Sequence, residues 1–203
     1  MAAAWREFYF VIELISELPI APLDPAKLFG REAPLHVDLG CGDGSFLCEL
    51  APQLTEKNFL GIECLSRRVK KARRKSETID NVRVLRAEIS HAVRYLLPGN
   101  SVVTFYLLFP DPWPKRRHQR RRIFTRDFLD CIAAALQEGG FLRVTTDQLD
   151  YFRQIEGLGR AHPQFEIVDV NDVILPSTKF ERRFCEKGAP IYRVTLRKVS
   201  PVK

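Results

Sequence analysis

The stretch Val37-Asp38-Leu39-Gly40-Cys41-Gly42-Asp43-Gly44-Ser45-Phe46 reads as a strand that breaks into a glycine-rich turn and restarts as a helix. Glycines at alternate positions let the backbone turn sharply and approach a ligand closely at the carboxyl edge of a sheet. Outward from this turn the same change of period recurs. Apolar runs at Leu35–Leu39, Phe59–Ile62, Val82–Leu85, Val102–Phe109 and Phe141–Thr145 read as strands, with helix-period segments near 44–54, 66–79, 90–97, 125–138 and 148–158. Near-continuous apolar strands alternating with helices predict an α/β domain on a doubly wound, mostly parallel sheet. Two further strand-like stretches, Phe165–Ile174 and Ile191–Arg197, flank a polar stretch, Pro176–Pro190. Residues 1–34 carry Trp5, Phe8, Tyr9 and Phe10, then Pro19, Pro22, Pro25 and Pro34. They read as an N-terminal extension and Pro-rich connector leading into one domain over 35–203.

A chain of 203 residues buries roughly 70% of the surface its unfolded form exposes, so it needs no disulfide or metal staple. The longest uncharged apolar run, Ser101 to Pro110, is about half a membrane span. Glu7, Glu13 and Glu17 interrupt the apolar N-terminal stretch, which argues against a signal peptide. Five cysteines without a C-x-x-C pair argue against a disulfide framework. Together these predict a protein of a reducing compartment, the cytoplasm, with no membrane association. Histidines 36, 91, 118 and 162 lack metal-ligand spacing, so no metal is expected.

Net charge becomes informative once it is located. The formal charge is +7, yet residues 67–75 (RRVKKARRK) and 115–126 (KRRHQRRRIFTR) each hold seven basic residues and no acid. Outside these runs stand 18 basic and 25 acidic side chains. An acidic body with two concentrated cationic patches is the footprint of a polyanion-binding protein. In 66–79, Val69, Ala72, Ser76 and Ile79 share one face and the cations cover the rest, so that helix can pack while presenting charge outward.

The G-x-G-x-G spacing differs from the G-x-G-x-x-G of dinucleotide binders, and Asp43 inside the loop suits a pyrophosphate poorly. A pyrophosphate-free adenosine ligand fits better, and S-adenosyl-L-methionine is the obvious one. Asp38 can then bind its ammonium group, beside Gly40 and Gly42. Glu63, after the second strand, can accept hydrogen bonds from both ribose hydroxyls, although dinucleotide enzymes use the same device. Glu88, after the third strand, either meets the adenine edge or is a surface carboxylate. In Phe109-Pro110-Asp111-Pro112-Trp113-Pro114-Lys115, three prolines among seven residues hold Asp111 and Trp113 rigidly at a strand end. A fixed carboxylate and indole followed by seven cations suit a flat nucleobase attached to phosphates. Asp147, after the fifth strand, either caps the next helix or serves the site.

VDLGCGDG, GIECLSRRVKKARRK, FPDPWPKRRHQRRR, VTTDQLDYF and Thr178-Lys179-Phe180-Glu181-Arg182-Arg183 together resemble the bacterial tRNA (guanine-N7)-methyltransferases. The match runs from about Leu28 to Lys198. It implies a Rossmann-like class I methyltransferase sheet, mostly parallel with an antiparallel C-terminal strand. It implies cofactor contacts at Asp38, Glu63, Glu88 and Asp111, with Asp111 the catalytic candidate. Substrate contacts are implied at Lys115, Asp147, Thr178, Lys179, Phe180 and Glu181. Glu88 stands where the family usually has Asp, and Leu108 where Asn commonly precedes the FPDPWP string. The expected activity is methylation of guanine N7 in the variable loop of tRNA, with tRNA the partner and no obligatory protein partner. The sequence is compatible with a monomer or a homodimer. The alternatives are an amine-directed methyltransferase on another nucleic acid, a nicotinamide-dependent reductase, and a nucleic-acid binder with a decayed site.

Overall fold

The computed structural model describes residues 21–169 and 175–200. The aromatic run Trp5–Phe10 and the end of the strand expected over Phe165–Ile174 lie outside them. The strands are β1 (Leu35–Leu39), β2 (Asn58–Glu63), β3 (Val82–Arg86), β4 (Val102–Leu108), β5 (Leu136–Thr146), β6 (Phe165–Val168) and β7 (Tyr192–Lys198). They form one seven-stranded sheet in the order β3-β2-β1-β4-β5-β7-β6. All neighbours from β3 to β5 pair in parallel, while β7 runs antiparallel to both β5 and β6. Strand order reverses between β1 and β4, the crevice where open α/β sheets bind ligands.

β1 and β2 are buried at every position because helices cover both faces. One face carries the larger core, including Val37, Leu60, Phe105, Leu129, Leu142 and Ile155. The other packs Phe59 and Tyr106 against Phe46 and Leu47. The connector joins the domain directly. α1 (Pro25–Phe29) buries Phe29 in the larger core, and Arg31 donates to Asn58 Oδ1 and to the Thr55 and Lys57 carbonyls, each at 2.8 Å.

α2 (Ser45–Leu50) and α3 (Ser66–Ser76) follow β1 and β2, and α3 buries Val69, Ala72 and Ser76 as their spacing predicts. The segment expected near 90–97 is a single turn, α4 (Ile89–His91), continued as π-helix over Ala92–Leu96. α5 (Arg126–Ala135) starts on a Thr125 cap but stops short of residue 138, because Leu136 already pairs with Val102. α6 (Leu149–Ala161) precedes β6. The polar stretch Pro176–Pro190 contains α7 (Lys179–Glu186), which periodicity missed because no α7 residue is buried. Its signal was the Thr178-x-x-Glu181 capping pattern, and the Thr178 hydroxyl accepts from the Glu181 N–H at 3.0 Å.

Candidate active site

Because β1 to β5 are parallel, the residues after their carboxyl ends gather on one edge of the sheet. After β1, Gly40, Gly42 and Gly44 all have positive φ, +84°, +58° and +75°. The Gly40 and Cys41 N–H groups donate to the Ile62 carbonyl at 2.8 and 3.0 Å, tying the loop to β2. At Gly44 a side chain is excluded twice, since a Cβ there would lie 2.9 Å from the Ala72 Cβ.

Asp38 and Glu63 are buried on adjacent strands, 3% and 4% exposed. Burial, and then the Glu63 charge, raise the Asp38 carboxyl to about 7. Glu63 accepts from the Leu65 N–H at 2.9 Å and meets the Arg68 guanidinium at 3.5 Å. Asp38 has no side-chain hydrogen bond among the described residues. A buried carboxylate left unpaired beside a second one calls for a cation, and Glu63 retains acceptor capacity for hydroxyls. The pair therefore fits the ammonium and ribose of S-adenosylmethionine. Glu88 is exposed and caps α4, accepting from the His91 N–H at 2.7 Å, which favours the helix-cap role for one of its oxygens.

The segment after β4 is strained. Phe109 and Trp113 have φ of +53° and +42°, and each directly precedes a proline, where extended backbone is favoured. Such conformations persist only when their surroundings over-determine them. The Phe109 N–H donates to the Thr145 carbonyl at 2.8 Å. The Arg121 guanidinium lies over the Trp113 indole, 5.0 Å from its centroid, with His118 against its edge. Asp111 is exposed on this segment.

Arg122 stands apart from the exposed cations of the 115–126 run. It is 4% exposed, donates to the Pro112 carbonyl at 2.8 Å and Gln154 Oε1 at 2.7 Å, pairs with Asp150 and stacks on Tyr151. It is an internal brace for the Pro112 turn. The patch on α3 is similarly divided. Arg68 and Lys75 have acidic partners and Arg73 donates to the Val84 carbonyl. Arg67, Lys70, Lys71 and Arg74 are exposed with no ion pair among the described residues.

Asp147 follows β5, half-buried, and accepts from Gln148 Nε2 at 2.7 Å. Gln148 occupies the α6 N-cap, so Asp147 is not a helix cap. α7 reaches the same edge: Lys179 pairs with Asp43, Glu181 with Arg193 and Arg182 with Glu49. The Phe180 ring, half-exposed, stands 6.3 Å from Phe109. From Thr178 and Glu181 a cleft of about 860 Å³ extends past Thr145 and Arg193. Lys115 is exposed, with no ion pair among the described residues. Sequence reading passed over Asp43 as a ligand of protein cations, a role visible only once α3 and α7 are in place.

A doubly wound sheet with a glycine turn after β1, carboxylates after β1 and β2 and a rigid Asp-Pro segment after β4 defines a class I, Rossmann-like methyltransferase. A solved S-adenosylmethionine-dependent O-methyltransferase from Thermotoga maritima has this fold, with a TM-score of 0.58 at 17% identity over 93% of this chain and 70% of that one. The family model described as "Putative methyltransferase" matches residues 32–194. A tRNA (guanine-N(7)-)-methyltransferase from Halorhodospira halophila is 38% identical over 86% of this chain and 79% of its own length. Another from Thermotoga maritima is 36% identical over 89% of this chain, which spans 59% of that relative's length. The chain belongs to the tRNA (guanine-N7)-methyltransferase family.

Proposed function

We propose that this protein transfers the methyl group of S-adenosyl-L-methionine to N7 of a guanine in the variable loop of tRNA, forming 7-methylguanosine in the cytoplasm. The carrying observation is the strained Phe109–Trp113 segment, which carries Asp111 after β4. When bound, S-adenosylmethionine supplies an electrophilic methyl on a sulfonium. Asp38 takes the ammonium, Glu63 the ribose hydroxyls and Glu88 the adenine edge, while Gly40 and Gly42 let the backbone come close.

Guanine N7 has a lone pair and no proton. That lone pair forms the new N–C bond as the C–S bond breaks, and the bond pair remains on sulfur. Positive charge passes from sulfur to the purine, and no proton moves. A general base is therefore unnecessary, and the protein's task is alignment of N7, carbon and sulfur. Asp111 stabilises the developing purine charge or orients the base through its N1 and N2 donors, with Asp147 the second candidate. Lys115 and the Thr178–Glu181 turn complete the substrate side. Residues 35–203 act as one methyltransferase domain, with 1–34 an extension to it.

Nucleoside analysis of tRNA after incubation with the protein and methyl-labelled S-adenosylmethionine tests this reading. Label in 7-methylguanosine is the expected result. Label in an exocyclic amine, or tight binding of NAD in place of S-adenosylhomocysteine, would overturn it.

A further inference from the structure

We propose that Asp43 is a positioning residue for the methyl transfer, holding Lys179, and with it the Thr178–Glu181 turn of α7, against the glycine loop. The proposal rests on the reading above that this turn serves the substrate. α7 has eight residues and none is buried, so it lacks the buried apolar face that keeps most short helices folded. Its anchors among the described residues are three ion pairs and the contact of Phe180 and Phe184 with Phe109. Two of those ion pairs end on Asp43 in the glycine loop and on Glu49 in the helix that follows it. The placement of α7 is thus referenced to the loop expected to hold the methyl donor.

Asp43 is built as a junction. Its Oδ1 accepts from the Ser45 N–H and hydroxyl at 3.3 and 2.8 Å, and its Oδ2 from the Lys75 and Lys179 ammonium groups. Ser45 also accepts from Lys75 at 2.7 Å. Loop, α3 and α7 meet at one carboxylate. An acid that repels a phosphate ligand of the loop is here the ligand of two protein cations. Lys179, which the family resemblance assigns to tRNA, has a protein partner in Asp43. The consequence is alignment: a shift of the loop carries the substrate turn with it, and small misplacements of reacting groups are costly.

The test compares Asp43→Asn, Lys179→Met and the double variant. Asparagine keeps the oxygen that Ser45 uses and replaces Oδ2, the acceptor of both lysines, with an uncharged donor. Amide exchange of 179–186 with S-adenosylhomocysteine bound and no RNA present reads the docking of α7 alone. Each single variant is expected to speed that exchange and to raise the KM for tRNA about 2- to 5-fold, the scale of one exposed ion pair. The double variant should be no worse than either, with S-adenosylhomocysteine affinity and the salt slope of tRNA binding unchanged. Additive losses, with a salt slope lowered by about 0.7–0.9 in Lys179→Met, would mean that Lys179 grips a phosphate and would overturn the proposal. Unchanged exchange in both single variants would overturn it too. Lys179→Met alters an exposed side chain and carries the test if Asp43→Asn loosens the loop. Coupled exchange in a protein that forms no 7-methylguanosine would sink the substrate reading and leave the Asp43–Lys179 junction standing.

Discussion

Asp38 places function and stability in opposition. Its folded pKa of about 7 exceeds the unfolded value of about 3.9, so the folded state binds the proton more tightly. By linkage the free protein loses stability as pH rises from about 4 to about 7. Asp38→Asn is expected to be more stable than wild type at pH 8, on the order of 1–3 kcal/mol, and equal to it near pH 4; denaturant unfolding at both pH values checks this. A cationic ligand needs the ionised form, so S-adenosylhomocysteine affinity should climb by up to tenfold per pH unit below about 7, then level off. Calorimetry should show that climb in wild type and not in Asp38→Asn. Asp111 raises a separate question. With no proton on N7, Asp111→Asn should lower kcat by ~10²–10³-fold, the scale of one preorganised electrostatic group, with a deficit constant from about pH 7 to 9. A mutant rate that recovers with pH would mark Asp111 as a base.

At the scale of elements, the turn after β4 is held by a brace from the basic run that follows it. Arg122 bridges the Pro112 carbonyl to Gln154 and Asp150 of α6 while lying over Tyr151. Asp150 is exposed, but removing the buried guanidinium strands the Pro112 carbonyl and the Gln154 oxygen that it serves. Arg122→Ala is expected to cost about 1–3 kcal/mol in denaturant unfolding, with kcat falling as the turn loosens. Arg120→Ala, two residues away and exposed, should leave stability unchanged. Equal effects of the two would show that Arg122 is no brace.

Across the whole molecule, charge is partitioned between scaffold and surface. On α3, Arg67, Lys70, Lys71 and Arg74 face solvent without acidic partners among the described residues, leaving them available to phosphates. tRNA affinity should fall steeply with salt through counterion release. Changing Lys70, Lys71 and Arg74 to alanine should reduce the log–log salt slope by about 2–3, at ~0.7–0.9 per lost contact, with S-adenosylhomocysteine binding intact. Titrations between 50 and 200 mM salt would measure it, and an unchanged slope would leave α3 a solvated face.

Sheet architecture was legible because its causes are local and repetitive: buried strands are mostly apolar, and packed helices repeat at their own period. The edge that gathers Asp38, Glu63, Glu88, Asp111 and Asp147 follows from parallel order alone, since every connection returns the chain to the same side. α7 was not legible by period, because Phe180 and Phe184 are its only large apolar residues, too few to mark a stripe. Nor could the cations be sorted, because Arg120 and Arg122 are the same residue type two positions apart. Only packing puts one in solvent and the other beneath Pro112. Asp43, likewise, stands at position 43 whether or not Lys75 and Lys179 reach it, and contacts across 32 and 136 residues exist only in the folded chain. The amino-acid order by itself determined which groups follow which strand; tertiary structure decided which charges face solvent and which are neutralised within, because a charge's partner is set by distance in space.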